Sequence, residues 1–161
     1  MKQFMHDLLL VAKKDLRIEI RSRVIINQVV PFAILVLVLF GFALDADQKT
    51  LRTFSPGLFW IAVLLSLLLA IQRSVSLETV NDSLTGLKLA GLSPVAIFFG
   101  KSIAIFTQIV FLELLLTGGI IIFYGSVIED PALWVVAGLV TALAVSVTGT
   151  LYGALASGLE V

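Results

Sequence analysis

The sequence predicts an all-α protein, a polytopic bundle of membrane helices, and three observations carry this prediction. Of the 161 residues, 59% are hydrophobic and only 14% are charged, whereas soluble domains average about 45–50% and about 25%. The mean hydropathy is +1.09. Four long apolar runs follow one another along the chain, and each is long enough to cross a hydrocarbon core of about 30 Å as a helix.

Composition also argues against several functional classes. The formal net charge is zero, so there is no overall basic field for a nucleic acid. The sequence contains no cysteine, which excludes disulfides, thiol catalysis and cysteine-ligated metals. The spans hold no paired carboxylates, no Ser/His constellation and no cluster of metal ligands, so we expect neither an enzyme nor a metal site.

Residues 2–27 are predicted to form an amphipathic helix ahead of the first span. Its predicted apolar face recurs at spacings of three and four and consists of Met5, Leu9, Ala12, Leu16 and Ile20. A basic stripe lies elsewhere on the helix and consists of Lys13, Lys14, Arg17 and Arg21. Such a helix tends to lie in the membrane interface. The alternative is a solvated helix on a soluble core, which the following span disfavours.

The four predicted spans cover residues 24–44, 54–71, 103–124 and 132–158. A polar loop at 45–53 joins the first two, and a short turn joins the last two. Pro56 is expected in the first turn of span two, where a missing N–H costs least. Residues 1–161 are therefore treated as one transmembrane domain.

Lysine and arginine counts predict the orientation. Six of the eleven precede span one, three lie in the polar segment 72–102, two lie in the loop 45–53, and none lies in the last turn. By the positive-inside rule, the N-terminus and the segment 72–102 face the cytoplasm. Trp60, Tyr124 and Trp134 then fall at the outer interface, where amphipathic rings are enriched.

The polar segment between spans two and three predicts a short helix that lies across the cytoplasmic end of the bundle. Asp82 or Ser83 would cap this helix and Gly91 would end it; Ser93-Pro94 would open the next helix. Its apolar anchors and charges, within residues 78–92, are Glu78, Asp82, Leu84, Leu87, Lys88 and Leu92. Two interpretations stay open, a coupling helix seated in a partner's groove and a solvated connector.

Gly100-Lys101-Ser102 is similar to the end of a phosphate-binding loop, but the first glycine of that motif is replaced by Val95 and no strand precedes it. We interpret Lys101 instead as a flank anchor that extends to the membrane surface. Any ATP chemistry is therefore expected in another subunit.

Glu113 is the carboxylate in the middle of span three, where insertion costs about 2.5–3.5 kcal/mol. Gln108 and Thr117 lie roughly on the same side of the helix. Three interpretations remain: a protonated Glu113 that bonds across helices, a site in the passage of substrate or lipid, and pairing with a span beyond this chain.

Span four carries small residues at helical spacing, which let helices approach closely. They are Gly138, Ala142, Ser146, Gly149 and Gly153. The stripe predicts a helix-packing interface within the bundle or a dimer, and the alternative is a loose lipid-facing stripe.

Four stretches together resemble the CcmB (haem exporter protein B) family, the permease subunit of an ABC-type complex in cytochrome c maturation. They are K-K-D-L-R-I-E-I-R-S-R at 13–23, S-P-G-L-F-W at 55–60, Q-R-S at 72–74 and E-T-V-N-D-S-L-T-G-L-K-L-A-G-L-S-P-V-A-I-F-F-G-K at 78–101. The resemblance covers essentially the whole chain. The family has six spans in a longer chain, so a truncated or shortened member is expected here.

The resemblance implies a dimeric permease in the bacterial inner membrane, driven by a CcmA-type ATPase that grips residues 78–92. It also implies membrane partners of the CcmC, CcmD and CcmE types, with haem as cargo and no cofactor bound by this chain. The residues themselves predict no haem site in the membrane, because His6 and both methionines precede the spans and only Tyr124 and Tyr152 remain as weak candidate ligands.

Three functions are therefore considered. The first is a permease subunit for haem export or delivery. The second is a membrane scaffold that couples a cytoplasmic ATPase to release of a haem-loaded chaperone, with nothing passing through this chain. The third is an ABC-2-like exporter of another amphipathic substrate.

Overall fold

The computed structural model describes residues 2–23, 25–44, 47–81 and 92–158, with side chains for 4–23, 25–44, 47–69 and 92–155. Its helices are α1 (Lys2–Ser22), a short π-helix (Ile25–Val29), α2 (Val30–Ala43), α3 (Gln48–Asn81), α4 (Pro94–Tyr124) and α5 (Pro131–Gly158). No strand occurs within these described ranges, and the predicted all-α fold class is confirmed.

Within the part of the chain that is described, four helical segments are long and apolar enough to cross a membrane. They are Ile25–Ala43, Gln48–Leu69, Pro94–Tyr124 and Pro131–Leu155. Their outward surfaces carry exposed apolar side chains such as Leu39, Leu64, Leu114 and Leu143. Such a surface suits a hydrocarbon solvent, and helices satisfy their own backbone polar groups there. The polytopic bundle is therefore confirmed.

Helix α4 lies at the centre of the bundle and contacts α1, α2, α3 and α5. The apolar core around it is formed mainly by Val29, Ala33, Leu37, Phe59, Ala62, Val63, Ile109, Leu112, Leu116, Ile120, Tyr124 and Ala142. A displacement of α4 would therefore affect every other α-helix of the described bundle.

Tyr124, which is predicted to lie at the outer interface, is the last residue of α4 and packs inside the bundle. Its ring is buried, at 1% exposure, and its hydroxyl donates a hydrogen bond to the Leu37 carbonyl at 2.7 Å. The phenol points into the bundle because that carbonyl gives its polar end a buried partner. Trp134 instead donates its indole N–H to the Thr117 hydroxyl at 3.2 Å.

The helix of span two begins earlier than predicted. It starts at Gln48, so that most of the expected polar loop at 45–53 is helical. Asp47 explains the early start, because its carboxylate accepts hydrogen bonds from the Thr50 N–H at 2.9 Å and the Thr50 hydroxyl at 2.5 Å. This is the geometry of an N-cap, and these hydrogen bonds hold the pKa of Asp47 below its ordinary value.

Pro56 consequently lies inside α3 rather than in its first turn. A proline cannot donate the helical hydrogen bond to the carbonyl four residues before it, which here belongs to Arg52. The Ser55 hydroxyl donates to that carbonyl instead, at 3.0 Å. The side chain next to the proline thus replaces the missing backbone donor and the helix continues.

The predicted helix over 2–27 is interrupted before the first span. Helix α1 ends at Ser22, and Arg23 adopts a left-handed conformation with φ of 53°. The π-helix at Ile25–Val29 then leads into α2. A left-handed residue breaks the helical hydrogen-bond pattern, so α1 and the first span are separate rods.

Candidate functional site

Helix α1 packs closely against the start of α4, and Gly100 is the contact point. Leu8, Val11 and Ala12 are buried, at 6%, 1% and 4% exposure. A Cβ at Gly100 would lie 2.7 Å from the Val11 Cβ and 2.8 Å from the Leu8 carbonyl oxygen. The absence of a side chain at this position therefore allows the backbones of the two helices to approach.

The predicted apolar face of α1 is not the face that packs. Of Met5, Leu9, Ala12, Leu16 and Ile20, only Ala12 is buried, and Ile20 is 74% exposed. The packed stripe lies roughly a quarter turn away and also has spacings of three and four. The position of the predicted face in the membrane interface stays a prediction. Helix α1 is apolar around more than half of its circumference, and α4 packs on the stripe opposite Gly100.

An ion pair joins the same two helices. Asp15 contacts Lys14 at 3.0 Å and Lys101 at 3.7 Å. The Lys101 side chain is only 13% exposed, so it lies against α1 rather than reaching the surface as the sequence suggested. The desolvation cost of such a mostly buried pair offsets much of its attraction, so the pair fixes the position of α1 beside the apolar contact at Gly100.

The predicted coupling segment lies mostly outside the described residues. Glu78 belongs to α3, where its side chain is not described, and Asp82, Leu84, Leu87 and Lys88 lie outside the described ranges. Leu92 is half-buried next to Ser93, whose hydroxyl oxygen accepts a hydrogen bond from the Ala96 N–H at 3.2 Å and caps α4. This end of the segment is therefore anchored at the first turn of the central helix.

Glu113 is enclosed between α4 and α5. Its side chain is buried, at 7% exposure, and its Oε1 atom has no hydrogen-bond partner among the described residues. A Cβ at Gly138 would lie 2.9 Å from its Oε2 atom, so the glycine of α5 makes room for the carboxyl group. The sequence did not indicate that Glu113 and Gly138 are neighbours, and the structure shows that they are in contact.

Gln108 is half-buried on the same helix, and no hydrogen bond joins it to Glu113 in the described structure. Ala142 and Ser146 of the small-residue stripe are buried, at 0% and 2% exposure. Gly149 and Gly153, in contrast, have open space where a Cβ would stand. The stripe therefore divides into a part that packs within the chain and a part that does not.

Thr150 continues the packed part of the stripe, and the sequence analysis missed it. Its hydroxyl accepts a hydrogen bond from Ser102 at 3.1 Å and donates to the Ser146 carbonyl. The i, i+4 spacing from Ala142 through Ser146 to Thr150 was the available signal.

The candidate haem ligands do not meet. The Tyr124 hydroxyl is already bonded, and Tyr152 is 68% exposed on α5. His6 is exposed on α1 beside Asp7. Among the described residues, no group of His, Cys, Asp and Glu side chains is arranged to hold a metal ion.

Comparisons with known proteins identify one family. The family model described as "CcmB protein" matches residues 6–161. Heme exporter protein B of Haemophilus influenzae is 34% identical over 79 residues, which cover 49% of this chain and 36% of that protein. Heme exporter protein B of Escherichia coli is 30% identical over 94 residues, which cover 58% and 43%. The matched part thus spans less than half of each relative's length. No solved structure matches the chain.

Proposed function

The chain belongs to the CcmB family, and on that premise we propose that it is the membrane permease subunit of an ATP-driven ABC complex that exports or delivers haem for cytochrome c maturation. The observation that carries the proposal is the family match over residues 6–161 on a chain with four helices able to span a membrane. We infer haem as the cargo from the name of the relatives, heme exporter protein B. ATP hydrolysis belongs to a separate CcmA-type subunit.

The proposed coupling element is the segment 78–92. It connects the end of α3 to the start of α4, and α4 contacts every other α-helix that the structure describes. Force applied to this segment by an ATPase therefore enters the bundle through its central helix. The lysine and arginine counts support a cytoplasmic position for the segment 78–92. The proposed membrane is the bacterial inner membrane.

Charge reversal tests the docking role of this segment. In the doubly substituted chain Glu78→Lys and Asp82→Lys, we expect the ATPase to co-purify poorly while membrane insertion is unchanged. Glu129→Lys is the matched control, because Glu129 is exposed in the turn before α5, at the other end of the bundle. Unchanged co-purification of the doubly substituted chain would exclude these carboxylates as docking groups.

A scaffold function is the second candidate, and one observation favours it. Within the described part of the chain, the candidate haem ligands are scattered or already bonded. As a scaffold, the chain would couple the ATPase to release of a haem-loaded chaperone of the CcmE type, with no cargo passing through the chain itself. CcmC- and CcmD-type proteins and a second copy of the chain belong to the same proposed complex.

Glu113 separates the two functions. If cargo passes along α4 and α5, the buried carboxyl group lies on its route, and Glu113→Gln lowers formation of holocytochrome c while the ATPase still co-purifies. Normal holocytochrome c formation in this variant would argue for the scaffold. Thr107→Val, at an exposed position of the same helix, is the control for a general loss of polarity in span three.

A further inference from the structure

The docking of α1 on α4 determines which of its residues are exposed. Leu8 and Val11 pack against Gly100. Met5 and Leu9 lie about 100° away from them around the helix axis and are therefore on the surface. Both are more than half exposed. A row of exposed cations lies beside these residues, on the side away from α4, and consists of Lys13, Arg17 and Arg21. The free surface of α1 therefore has an apolar strip beside a basic strip.

The cations of the basic strip are not neutralised by any carboxylate that the structure describes. Asp15, the acidic residue on the packed side, is already shared by Lys14 and Lys101. Among the described residues, Lys13, Arg17 and Arg21 form no ion pair. They line a shallow groove with Leu10, Ile18 and Ile20. Such a surface is complementary to a ligand with an anionic head and an apolar body.

The length of α4 indicates the depth at which this surface lies. The helix has 31 residues and is therefore about 46 Å long, which exceeds a hydrocarbon core of about 30 Å. About ten residues of α4 must lie outside the core. The Asp15–Lys101 ion pair favours the first turns of α4 for this position, because ionised groups avoid hydrocarbon. Helix α1, docked there, lies at the level of the phospholipid headgroups.

We propose that the exposed surface of α1 binds anionic phospholipid headgroups of its own leaflet. Lys13, Arg17 and Arg21 contact the phosphates, and Met5, Leu9 and Ile20 reach the boundary of the acyl chains. An acidic protein surface would satisfy the cations but would leave the apolar strip in water, so the lipid is the better fit. The proposal goes beyond the transport function and does not depend on it.

Lipid quenching of a single fluorophore tests this proposal. The chain has no cysteine, so Leu9→Cys provides one attachment site for a bimane label. The labelled full chain is reconstituted in vesicles of equimolar phosphatidylglycerol and phosphatidylcholine, with brominated acyl chains on one lipid or on the other. Since each cation near an anionic surface contributes about 1 kcal/mol, we expect brominated phosphatidylglycerol to quench at least about twofold more strongly. High salt should reduce this preference.

Two variants separate the basic strip from other causes. The triple variant Lys13→Gln, Arg17→Gln, Arg21→Gln should be quenched equally by both lipids, whereas Lys49→Gln, at the other end of the bundle, should keep the preference. A label at Phe123, exposed near the end of α4, should show none. Equal quenching in the unsubstituted strip, a preference retained in the triple variant or in high salt, or no quenching by either lipid would each overturn the proposal.

Discussion

Gly100→Ala should weaken the packing of α1 on the bundle. The added Cβ would lie 2.7 Å from the Val11 Cβ and 2.8 Å from the Leu8 carbonyl oxygen. These atoms belong to the backbone and the stiff β-branched part of α1, so the whole helix must move to relieve the contact. Overpacking of this kind costs about 1–3 kcal/mol, which outweighs the gain of about 0.5–1 kcal/mol from alanine in a helix.

Gly118→Ala is the matched control, because it makes the same substitution on the same helix. A Cβ at Gly118 has nothing within 4 Å, so only the gain in helix propensity remains and this variant should be slightly stabilised. The two variants are therefore expected to change the free energy of unfolding in opposite directions.

Two measurements compare Gly100→Ala with Gly118→Ala. Denaturation of the purified chain in detergent gives the free energy of unfolding, and limited trypsin digestion reports how often α1 opens, since Lys13, Lys14 and Arg17 are potential cleavage sites. We expect faster cleavage within α1 for Gly100→Ala and unchanged cleavage for Gly118→Ala. Equal stability and equal cleavage of the two variants would refute the docking of α1 at Gly100.

Three further predictions concern other contacts. Tyr124→Phe removes the hydrogen bond to the Leu37 carbonyl and should lower the free energy of unfolding by about 0.5–1.5 kcal/mol; no change in denaturation would contradict that bond. Gly125→Ala should lower it by about 1–2 kcal/mol, because φ is +60° there and the Cβ would also lie 2.8 Å from Gln48 Nε2; a neutral effect would contradict the left-handed cap. Burial raises the pKa of Glu19 above its ordinary value, partly offset by a hydrogen bond from the Ile25 backbone. The protonated form is therefore favoured in the fold, and this contribution is complete below the unfolded pKa and lost as the pH rises through the folded pKa. The unsubstituted chain should therefore lose stability relative to Glu19→Gln as the pH rises through the folded pKa of Glu19; the same pH dependence in both proteins would be the contrary result.

The long apolar runs were sufficient to predict the helical membrane bundle, because few other structures satisfy their backbone in hydrocarbon. The details that the sequence missed depend on contacts between helices. On α1, Leu8 and Val11 are as apolar as Met5 and Leu9, and periodicity does not distinguish the two stripes. The glycine at position 100 decides between them, and its role is visible only when α4 lies beside α1.

The same limit applies inside the bundle. Glu113 and Gly138 were each identified from the sequence, but which side of α5 faces α4 depends on packing that a helical period does not specify. The sequence likewise does not show that the Leu37 carbonyl accepts a hydrogen bond from the Tyr124 hydroxyl, because this contact joins two helices. The early start of α3 was predictable in principle, since Asp47 and Thr50 have the spacing of a cap.

Cross-linking from the segment 78–92 identifies the protein that this segment contacts. A photo-reactive group on Lys88→Cys, in a chain without other cysteines, is activated in cells that contain the complete complex. We expect an adduct with a cytoplasmic ABC ATPase, and the same group at Val127→Cys, in the turn before α5, should form none. Adducts of the Lys88 probe only with proteins from the outer side of the membrane would contradict this expectation.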